Sequence, residues 1–294
     1  MRRVTYRVPQ ESDGRPMRRV VRGEMGLSQH LYASLKRRNA CFVDGQPARA
    51  SQVVRAGQVI ELVIEDAATQ VQLVEPEDKT LAVVYEDEDV IIVDKPAPLA
   101  CMQGVQGDGN SLEARFLWHY RDEGVLFRPV NRLDKGTSGL MALARNPHAQ
   151  QIMQARLHTN GYVREYMALV EGTGLDDEGV IDRPIGKADG ATVRRAVRAD
   201  GKPAVTRYRK LHEGGGRTLL RLRLETGRTH QIRVHLQSIG HPVVGDFLYG
   251  HEVDELPRRF ALHSCFLSLQ HPLTGARLSF ESPLPPEIAA LITE

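Results

Sequence analysis

The sequence predicts an α+β protein with a mixed, mostly antiparallel sheet, preceded by a small separate N-terminal unit. Segments with the two-residue alternation of β-strands outnumber segments with helical spacing. The helical segments are also dispersed among the strands, which is typical of the α+β class. Finally, the charge balance changes along the chain: residues 1–58 carry 12 Lys and Arg against 4 Asp and Glu, whereas residues 61–94 are rich in acids.

The N-terminal unit, predicted over residues 1–70, combines a helix with a hairpin. Leu27, Leu31 and Leu35 recur every four residues in LSQHLYASLKRR, which is the spacing of one helix face. FVDGQPA holds an Asp-Gly turn between apolar flanks, a strong hairpin signal, and VIELVI alternates like a strand. Residues 71–80, within an acidic segment, are predicted as a linker.

A second domain is predicted over residues 81–294. Its strands are expected in LAVVYEDEDVIIVDKP, which holds two around an acidic turn, in VREYMALVEG and in LLRLRLETG. Its helices are expected in SLEARFLWHYRDEG, in HAQQIMQARLHTNG, closed by Asn160-Gly161, and in RTHQIRVHLQSIG, which ends at Gly240. We see no internal repeat.

Composition excludes several classes of protein. The 294 residues are 41% hydrophobic and 26% charged, which is ordinary for a globular protein, and no apolar run is long enough to cross a bilayer. The arginine-rich N-terminus lacks the apolar core of a secretory signal, and its acids argue against a transit peptide. Three widely spaced cysteines suggest neither a disulfide framework nor a metal set, so we expect a cytoplasmic protein.

The net charge of +2 hides two basic regions. Besides residues 1–58, residues 194–233 carry 12 Lys and Arg against 3 Asp and Glu. Basic segments separated by an acidic one suggest two surfaces that face a polyanion such as nucleic acid. Solvated faces whose charges balance in the folded protein are the alternative interpretation.

The stretch NRLDKGTSGL places Asp134 between Arg132 and Lys135. It lacks the order of a phosphate-binding loop, and the chain lacks the second copy that an aspartic protease needs. His230 and His235 are five residues apart and so miss the helical spacing of a zinc pair. Neighbouring cations favour an ionised carboxylate, which suits a nucleophile or base, although a structural ion pair is the commoner role of such an aspartate.

NRLDKGTSGL resembles the Arg-Leu-Asp-x-x-Thr-Ser-Gly-Leu signature of the RluA family of pseudouridine synthases. Further blocks resemble the same family in the same order: DVIIVDKPAPLA, VREYMALVEG, GKPAVTRY, ETGRTHQIRVHLQSIGHPVVGD and LHSCFLSLQHPLTG. The N-terminal unit is similar, more loosely, to the S-four-like RNA-binding module that many of these enzymes carry. The resemblance implies a pseudouridine synthase catalytic domain over residues 81–294.

The resemblance also implies a reaction and its residues. A uridine in RNA is isomerised without a cofactor, since its N1–C1′ bond breaks, the base rotates and a C5–C1′ bond forms. Asp134 would be the essential carboxylate, either attacking C1′ or removing a ribose proton. Arg228 would pair with Asp134 and orient it. Tyr166 would stack on the uracil, with its hydroxyl a candidate acceptor of the C5 proton.

Other residues are expected to contact the substrate. The target base must flip out of its stack, and Arg132 is placed to enter the gap because a guanidinium both stacks and contacts phosphates. Lys95, in the family's Lys-Pro block, is expected to bind the substrate. Leu222 or Leu224 would floor the pocket, although either could be ordinary core. Lys135 could face solvent or a phosphate. Glycines 136 and 139 would let the backbone approach the substrate closely.

Two departures from the family pattern concern substrate contacts. Asn131 stands where the family usually has His, and an amide cannot titrate near neutral pH. PLACMQG stands where the family often has Gly-Leu and then Val-His-Pro. From the resemblance we expect an enzyme that acts on RNA, with ribosomal RNA as the first candidate substrate and transfer RNA as the alternative. We also expect a monomer that needs no metal and does not bind a membrane. A noncatalytic RNA-binding protein and a hydrolase are the competing hypotheses, and a hydrolase would want a second acid nearby.

Overall fold

The computed structural model describes residues 1–65, 73–104 and 109–292. Residues 66–72, which include the first two residues of the predicted linker, lie outside the described residues, as do 105–108, 293 and 294. The α+β class is confirmed, with a mixed and mostly antiparallel main sheet and a small antiparallel N-terminal sheet. No helix in the described ranges is long and apolar enough to cross a membrane.

The first 65 residues form a four-stranded antiparallel sheet with two helices on it. The strands pair in the order β1-β4-β2-β3 and comprise β1 (Arg2–Arg7), β2 (Cys41–Val43), β3 (Gln46–Pro47) and β4 (Val59–Ile64). The helices are α1 (Met17–Gly23) and α2 (Gln29–Arg37). The side chains of Val20, Leu35 and Leu62 are buried between helices and sheet, so this unit has its own apolar core.

Local sequence signals account for these elements. Helix α2 begins after Ser28, whose hydroxyl accepts a hydrogen bond from the N–H of Leu31, as a capping serine does. Asp44 and Gly45 both adopt positive φ, of 48° and 77°, and connect β2 to β3. The predicted helix, hairpin and strand of this unit are therefore confirmed.

The rest of the chain is organised around a nine-stranded sheet. Its strands pair in the order β5-β6-β7-β14-β8-β13-β12-β9, with β15 also paired to β14, and only β7 and β14 run parallel among these pairs. The strands are β5 (Ala82–Glu86), β6 (Val90–Lys95), β7 (Ser138–Ala144), β8 (Tyr162–Glu171), β9 (Glu178–Asp182), β12 (Val205–Gly214), β13 (Arg217–Leu224), β14 (Leu262–Gln270) and β15 (Arg277–Glu281). A separate antiparallel pair comprises β10 (Ile185–Lys187) and β11 (Arg195–Val197).

The described residues of this larger unit form four helices: α3 (Leu112–His119), α4 (Pro147–Arg156), α5 (Gln231–Ser238) and α6 (Pro286–Ala289). Ser111 and Asn146 cap α3 and α4 by accepting backbone hydrogen bonds. Helix α4 ends at Arg156, earlier than the Asn160-Gly161 end predicted from the sequence. Strand β7 is buried along its whole length in the middle of the sheet, which fixes the loop that precedes it.

The N-terminal unit is bonded to the larger one at two places, the β5–β6 turn and helix α4. The guanidinium of Arg2 donates two hydrogen bonds, both 3.0 Å long, to the buried carboxylate of Asp89 in the β5–β6 turn. The amide of Gln151, on α4, accepts a bond from the N–H of Ser28 and donates one to the carbonyl of Gly26, each 2.7 Å long. These bonds connect β1 to the β5–β6 turn and the segment before α2 to α4.

Candidate active site

A cavity of about 630 Å³ opens between the loop before β7, strand β8 and the loop before α5. These three segments come from distant parts of the chain and meet because β7, β14, β8 and β13, which precedes the α5 loop, are consecutive in the sheet. Among the polar and apolar groups that line the cavity are Asn131, Arg132, Asp134, Arg164, Tyr166, Leu224, Arg228, His230 and Arg233.

The centre of the cavity is Asp134, held by a buried arginine. The Nη1 of Arg233 donates a 2.9 Å hydrogen bond to Oδ2 of Asp134, whose side chain is 28% exposed. The other edge of the same guanidinium donates bonds of 2.6 and 2.8 Å to the two carboxylate oxygens of Asp246, which is fully buried. Arg233 therefore lies between two carboxylates, one inside the core and one facing the cavity.

Aromatic rings and backbone groups complete the surroundings of Arg233. Its guanidinium lies 4.1 Å from the ring centre of Phe260 and 5.0 Å from that of Tyr249. The backbone N–H groups of Leu248 and Tyr249 donate to Asp246, which fixes that carboxylate. Burial alone would lower the pKa of Arg233, but the hydrogen bonds and charge of Asp246 and the charge of Asp134 raise it, so the arginine stays charged.

The pairing of Arg228 with Asp134, expected from the family resemblance, is wrong. The Nε of Arg228 donates instead to the carbonyl of Pro203, at 2.9 Å, although the residue does line the cavity. The reason lies in the turn before α5, where His230 adopts the left-handed conformation with φ of 59°. This turn directs Arg233, in the first turns of the helix, toward Asp134 and leaves Arg228 at the rim.

Gln231 fixes that turn to the sheet. Its buried side-chain amide accepts bonds from the Arg228 N–H and the Thr226 hydroxyl, and donates to the carbonyl of Val205 and the hydroxyl of Thr206 on β12. Gln231 of the block TGRTHQ therefore stabilises the conformation of the turn before α5.

Tyr166 lines the cavity from strand β8 and is 4% exposed. Burial raises the pKa of its hydroxyl, which keeps the phenol protonated at neutral pH. Leu222 pairs with Tyr166 across the two strands and is fully buried in the core, whereas Leu224 lines the cavity. Of the two leucines predicted as a pocket floor, only Leu224 is therefore in position.

Lys95, expected to bind the substrate, lies in the interior of the protein, and its substrate contact stays a prediction. The side chain is fully buried, and its ammonium donates to the carbonyls of Pro96, Leu99 and Lys135, at 2.9, 2.8 and 3.5 Å. Burial lowers the pKa of Lys95 to about 8. Lys95 therefore fastens the loop after β6 to the loop that carries Asp134, and the side chain of Lys135 itself is exposed.

The glycines of the stretch NRLDKGTSGL pack closely against the protein itself, and their approach to the substrate stays a prediction. A Cβ on Gly136 would lie 2.6 Å from the ring of Phe260. A Cβ on Gly139, where φ is 110°, would lie 2.3 Å from the carbonyl oxygen of Ser264 on β14. Gly136 thus lets the Asp134 loop pack on Phe260, whose ring also contacts Arg233, and Gly139 lets the chain pack on β14.

Arg132 and Asn131 occupy different environments beside Asp134. Arg132 is exposed at the cavity, and its side chain bonds to none of the residues described. Asn131 is buried, and its carbonyl oxygen accepts bonds from the Tyr162 hydroxyl, at 2.7 Å, and the Ala142 N–H, at 3.1 Å. Cys101, from the divergent PLACMQG segment, lies in the same wall and contacts the carbonyl of Leu133.

Sequence reasoning missed Asp246, Arg164 and the role of Arg233. Asp246 follows Gly245 in the same motif block, and Arg233 is the second arginine of RTHQIR, so both were inside a segment already singled out. Arg164 stands two residues before Tyr166 on β8 and shares its side of the strand. The two-residue alternation of a strand therefore indicates that Arg164 lies on the same side as Tyr166.

One group among the described residues has the chemistry of a metal site, namely Asp87, Asp89 and His271. Their ligand atoms already accept or donate hydrogen bonds within the protein. Asp87 accepts from the Tyr85 hydroxyl and contacts His271 Nε2 at 3.1 Å, while Asp89 accepts from Arg2. The cluster ties the β5–β6 turn to the segment after β14, away from the cavity.

Comparison with known proteins identifies close similarity to one family. Residues 89–238 match the model of the RNA pseudouridylate synthase family. The chain is 35% identical to the uncharacterized RNA pseudouridine synthase YjbO of Bacillus subtilis, over 92% of this chain and 96% of that protein. It is 41% identical to the ribosomal large subunit pseudouridine synthase D of Nitrosomonas europaea, over 85% of this chain and 75% of that protein. The solved structure of human RNA pseudouridylate synthase domain containing 1 is 28% identical, with a TM-score of 0.57, and the match covers 71% of this chain and 86% of that one.

The buried ammonium of Lys95 predicts a pH dependence of stability. The unfolded chain keeps this proton up to about pH 10.5, whereas the folded protein releases it above about pH 8. Because the unfolded state binds more protons in that window, raising the pH favours the folded state. We expect the free energy of unfolding of the wild type, relative to Lys95→Met, to rise by up to about 3 kcal/mol between pH 8 and pH 10.5. Urea unfolding at several pH values measures it, and parallel curves for the two proteins would contradict it.

Proposed function

The chain belongs to the RNA pseudouridylate synthase family, and from this we propose that it isomerises specific uridines of large-subunit ribosomal RNA with Asp134 as the essential carboxylate. The protein is a pseudouridine synthase of the RluA type that acts on RNA. The observation that carries the proposal is the position of Asp134, bonded to Arg233 in a cavity that also contains Tyr166. The names of its relatives support ribosomal RNA as the substrate, and such a substrate would place the protein in the cytoplasm.

In the proposed reaction the flipped uridine enters the cavity. Asp134 either attacks C1′ as N1 leaves or removes a ribose proton, and both routes need a carboxylate held at a fixed angle. The bond from Arg233, itself fixed by Asp246, supports that orientation. The cavity is built from one chain, so a monomer would suffice.

Tyr166 would stack on the uracil during the rotation of the base. Its raised pKa favours the protonated phenol, so its hydroxyl could accept the C5 proton only while giving up its own. We therefore propose that its main role is stacking, with Leu224 as the apolar contact beside it. The chemical changes balance, since C5 loses one proton and N1 gains one.

Pseudouridine mapping in RNA from cells with and without the protein would identify the modified uridine. We expect a single lost site, or a few, in large-subunit ribosomal RNA. Loss of sites in transfer RNA alone would assign the other substrate class. No lost site, with purified protein that binds RNA, would favour the noncatalytic hypothesis.

Replacement of Asp134 by Asn tests its role. The variant keeps the shape of the side chain and an oxygen that accepts the Arg233 bond, so folding and RNA binding should survive. Turnover should fall by at least about 10²–10⁴-fold, because the amide is neither a nucleophile nor a base. A mass-based assay on the mapped RNA measures this, with circular dichroism as the folding control.

Asp254→Asn is the matched control, since Asp254 is exposed and outside the cavity. It should keep wild-type turnover. Turnover near the wild-type rate in folded Asp134→Asn would return this carboxylate to a structural role.

Base flipping is the role proposed for Arg132, which is exposed at the cavity wall next to Asp134. Arg132→Ala should slow modification of a structured RNA more than that of a flexible single strand, because unstacking costs a few kcal/mol less in the strand. The ratio of kcat/KM on the two RNAs measures the effect. An equal loss on both would leave Arg132 as a general phosphate contact.

The N-terminal unit, residues 1–70, is proposed as the RNA-binding module and residues 81–294 as the catalytic domain. The exposed faces of α1 and α2 carry Arg18, Arg19, Arg22, Lys36 and Arg37. Each phosphate contact made by such a residue contributes to the salt dependence of binding.

Replacing Arg18, Arg19 and Arg22 together by Gln should therefore weaken RNA binding and make its salt dependence shallower, by about one unit of slope for each phosphate that the variant no longer neutralises. The turnover number at saturating RNA should be unchanged, because the chemistry lies elsewhere. Fluorescence anisotropy at several salt concentrations gives the slope. A wild-type slope in the variant would remove α1 from the binding surface.

A further inference from the structure

Arg164 is a buried cation without a carboxylate partner among the described residues. Its side chain is 5% exposed, and its Nε is buried without a hydrogen-bond partner in the described part of the chain. Its one hydrogen bond to a described residue is long, 3.5 Å from Nη2 to the carbonyl of Leu157. Burial of a charge is unfavourable unless it is paired, so this arrangement suits an anion brought by a ligand.

Arg164 lines the same cavity as Asp134 and Tyr166. It stands two residues before Tyr166 on β8, so both side chains lie on one side of the strand, with Cα atoms roughly 6–7 Å apart. The ring of Tyr162 lies 5.8 Å from the guanidinium and keeps it against the wall. A group bound by Arg164 would therefore be a close neighbour of a base stacked on Tyr166.

Two further side chains, those of His158 and Arg228, lie near Arg164. Nη1 of Arg164 and Cε1 of His158 lie 3.5 and 3.3 Å from the position that a Cβ on Gly227 would take, so both rest on that backbone. Arg228 follows directly and also lines the cavity. Burial and the charges of the two arginines lower the pKa of His158, so its ring is neutral at pH 7 and can donate one N–H.

We infer that Arg164, with Arg228 and His158 beside it, binds a backbone phosphate that flanks the target uridine. This inference rests on the proposed function, because it takes RNA as the ligand. Planar guanidinium groups recognise phosphate oxygens through paired, charge-assisted hydrogen bonds. A phosphate fixed here positions the ribose over Asp134 while the base stacks on Tyr166. Arg164 is thus a substrate-binding residue that sets the geometry of the reaction.

The test combines a neutral phosphate analogue with an arginine variant. The probe is a synthetic RNA hairpin carrying the mapped uridine, with a methylphosphonate at its 5′ or its 3′ phosphate. For the wild type, one of the two replacements should raise KM by at least about tenfold, the effect of losing a hydrogen bond to a charged group. Arg164→Gln should show the same rise in KM on unmodified RNA. In this variant the methylphosphonate should change KM by less than about twofold, because the guanidinium that binds the charged phosphate has been removed.

Controls separate binding from packing. Arg209→Gln changes an exposed arginine on β12 that lies outside the cavity, and it should keep the full phosphonate effect. Arg164→Lys, which keeps the charge but not the planar fork, should recover part of the affinity. Removal of an unpaired buried charge should also leave the melting temperature unchanged or raise it.

The inference is overturned if neither phosphonate affects the wild type, or if Arg164→Gln keeps the full phosphonate effect. A large fall in the melting temperature of Arg164→Gln together with equal loss on all RNAs would likewise assign a packing role. Failure of the proposed function is a different result, namely no pseudouridine formed by the wild type on the unmodified hairpin. In that case the same comparison is made on binding, by fluorescence anisotropy with the same RNAs.

Discussion

The architecture of the site depends on one guanidinium that has been removed from solvent. Arg233 is 3% exposed, and a charge at that depth needs partners around its whole edge. Asp246 supplies them on the core side and Asp134 on the cavity side, with Phe260 and Tyr249 against its faces. The carboxylate of Asp134, proposed as the essential group, is therefore oriented by a buried interaction. The positions of the loop before β7, of helix α5 and of the segment around Asp246 therefore depend on one another, because Arg233 bonds to all of them or belongs to them.

That requirement explains the small residues of the Asp134 loop. Gly136 gives room to Phe260 and Gly139 gives room to β14, so the loop reaches the position from which Asp134 meets Arg233. The ammonium of Lys95 donates to the carbonyls of Leu99 and Lys135, which connects the loop after β6 to the loop that carries Asp134. Each of these residues looked like a substrate contact in the sequence. In the structure each of them packs against or bonds to other parts of the protein.

Local features of the chain could be predicted, whereas partnerships across the fold could not. Strand alternation, the Asp44-Gly45 turn and the four-residue leucine spacing in the α2 segment depend on neighbours in sequence, so the α+β class and most elements follow from them. The family motif also placed Asp134, Tyr166 and Arg132 at one cavity. It could not tell which arginine of TGRTHQIR meets the aspartate, because the answer depends on the left-handed turn at His230. Burial of Lys95 is likewise a property of the packed sheet.

Helix α4 connects the N-terminal unit to the wall of the cavity. Gln151 holds Gly26 and Ser28 on the outer side of α4, while Gln154 and Leu157, at the end of the same helix, line the cavity. Gln151 and Leu157 are six residues apart, which is about 9 Å along a helix, so helix geometry sets the spacing between the two contacts. An RNA held by the N-terminal unit would then meet the cavity at a fixed distance. Selection among uridines would follow the span between an anchored structural element and the target, in addition to the identity of the surrounding bases.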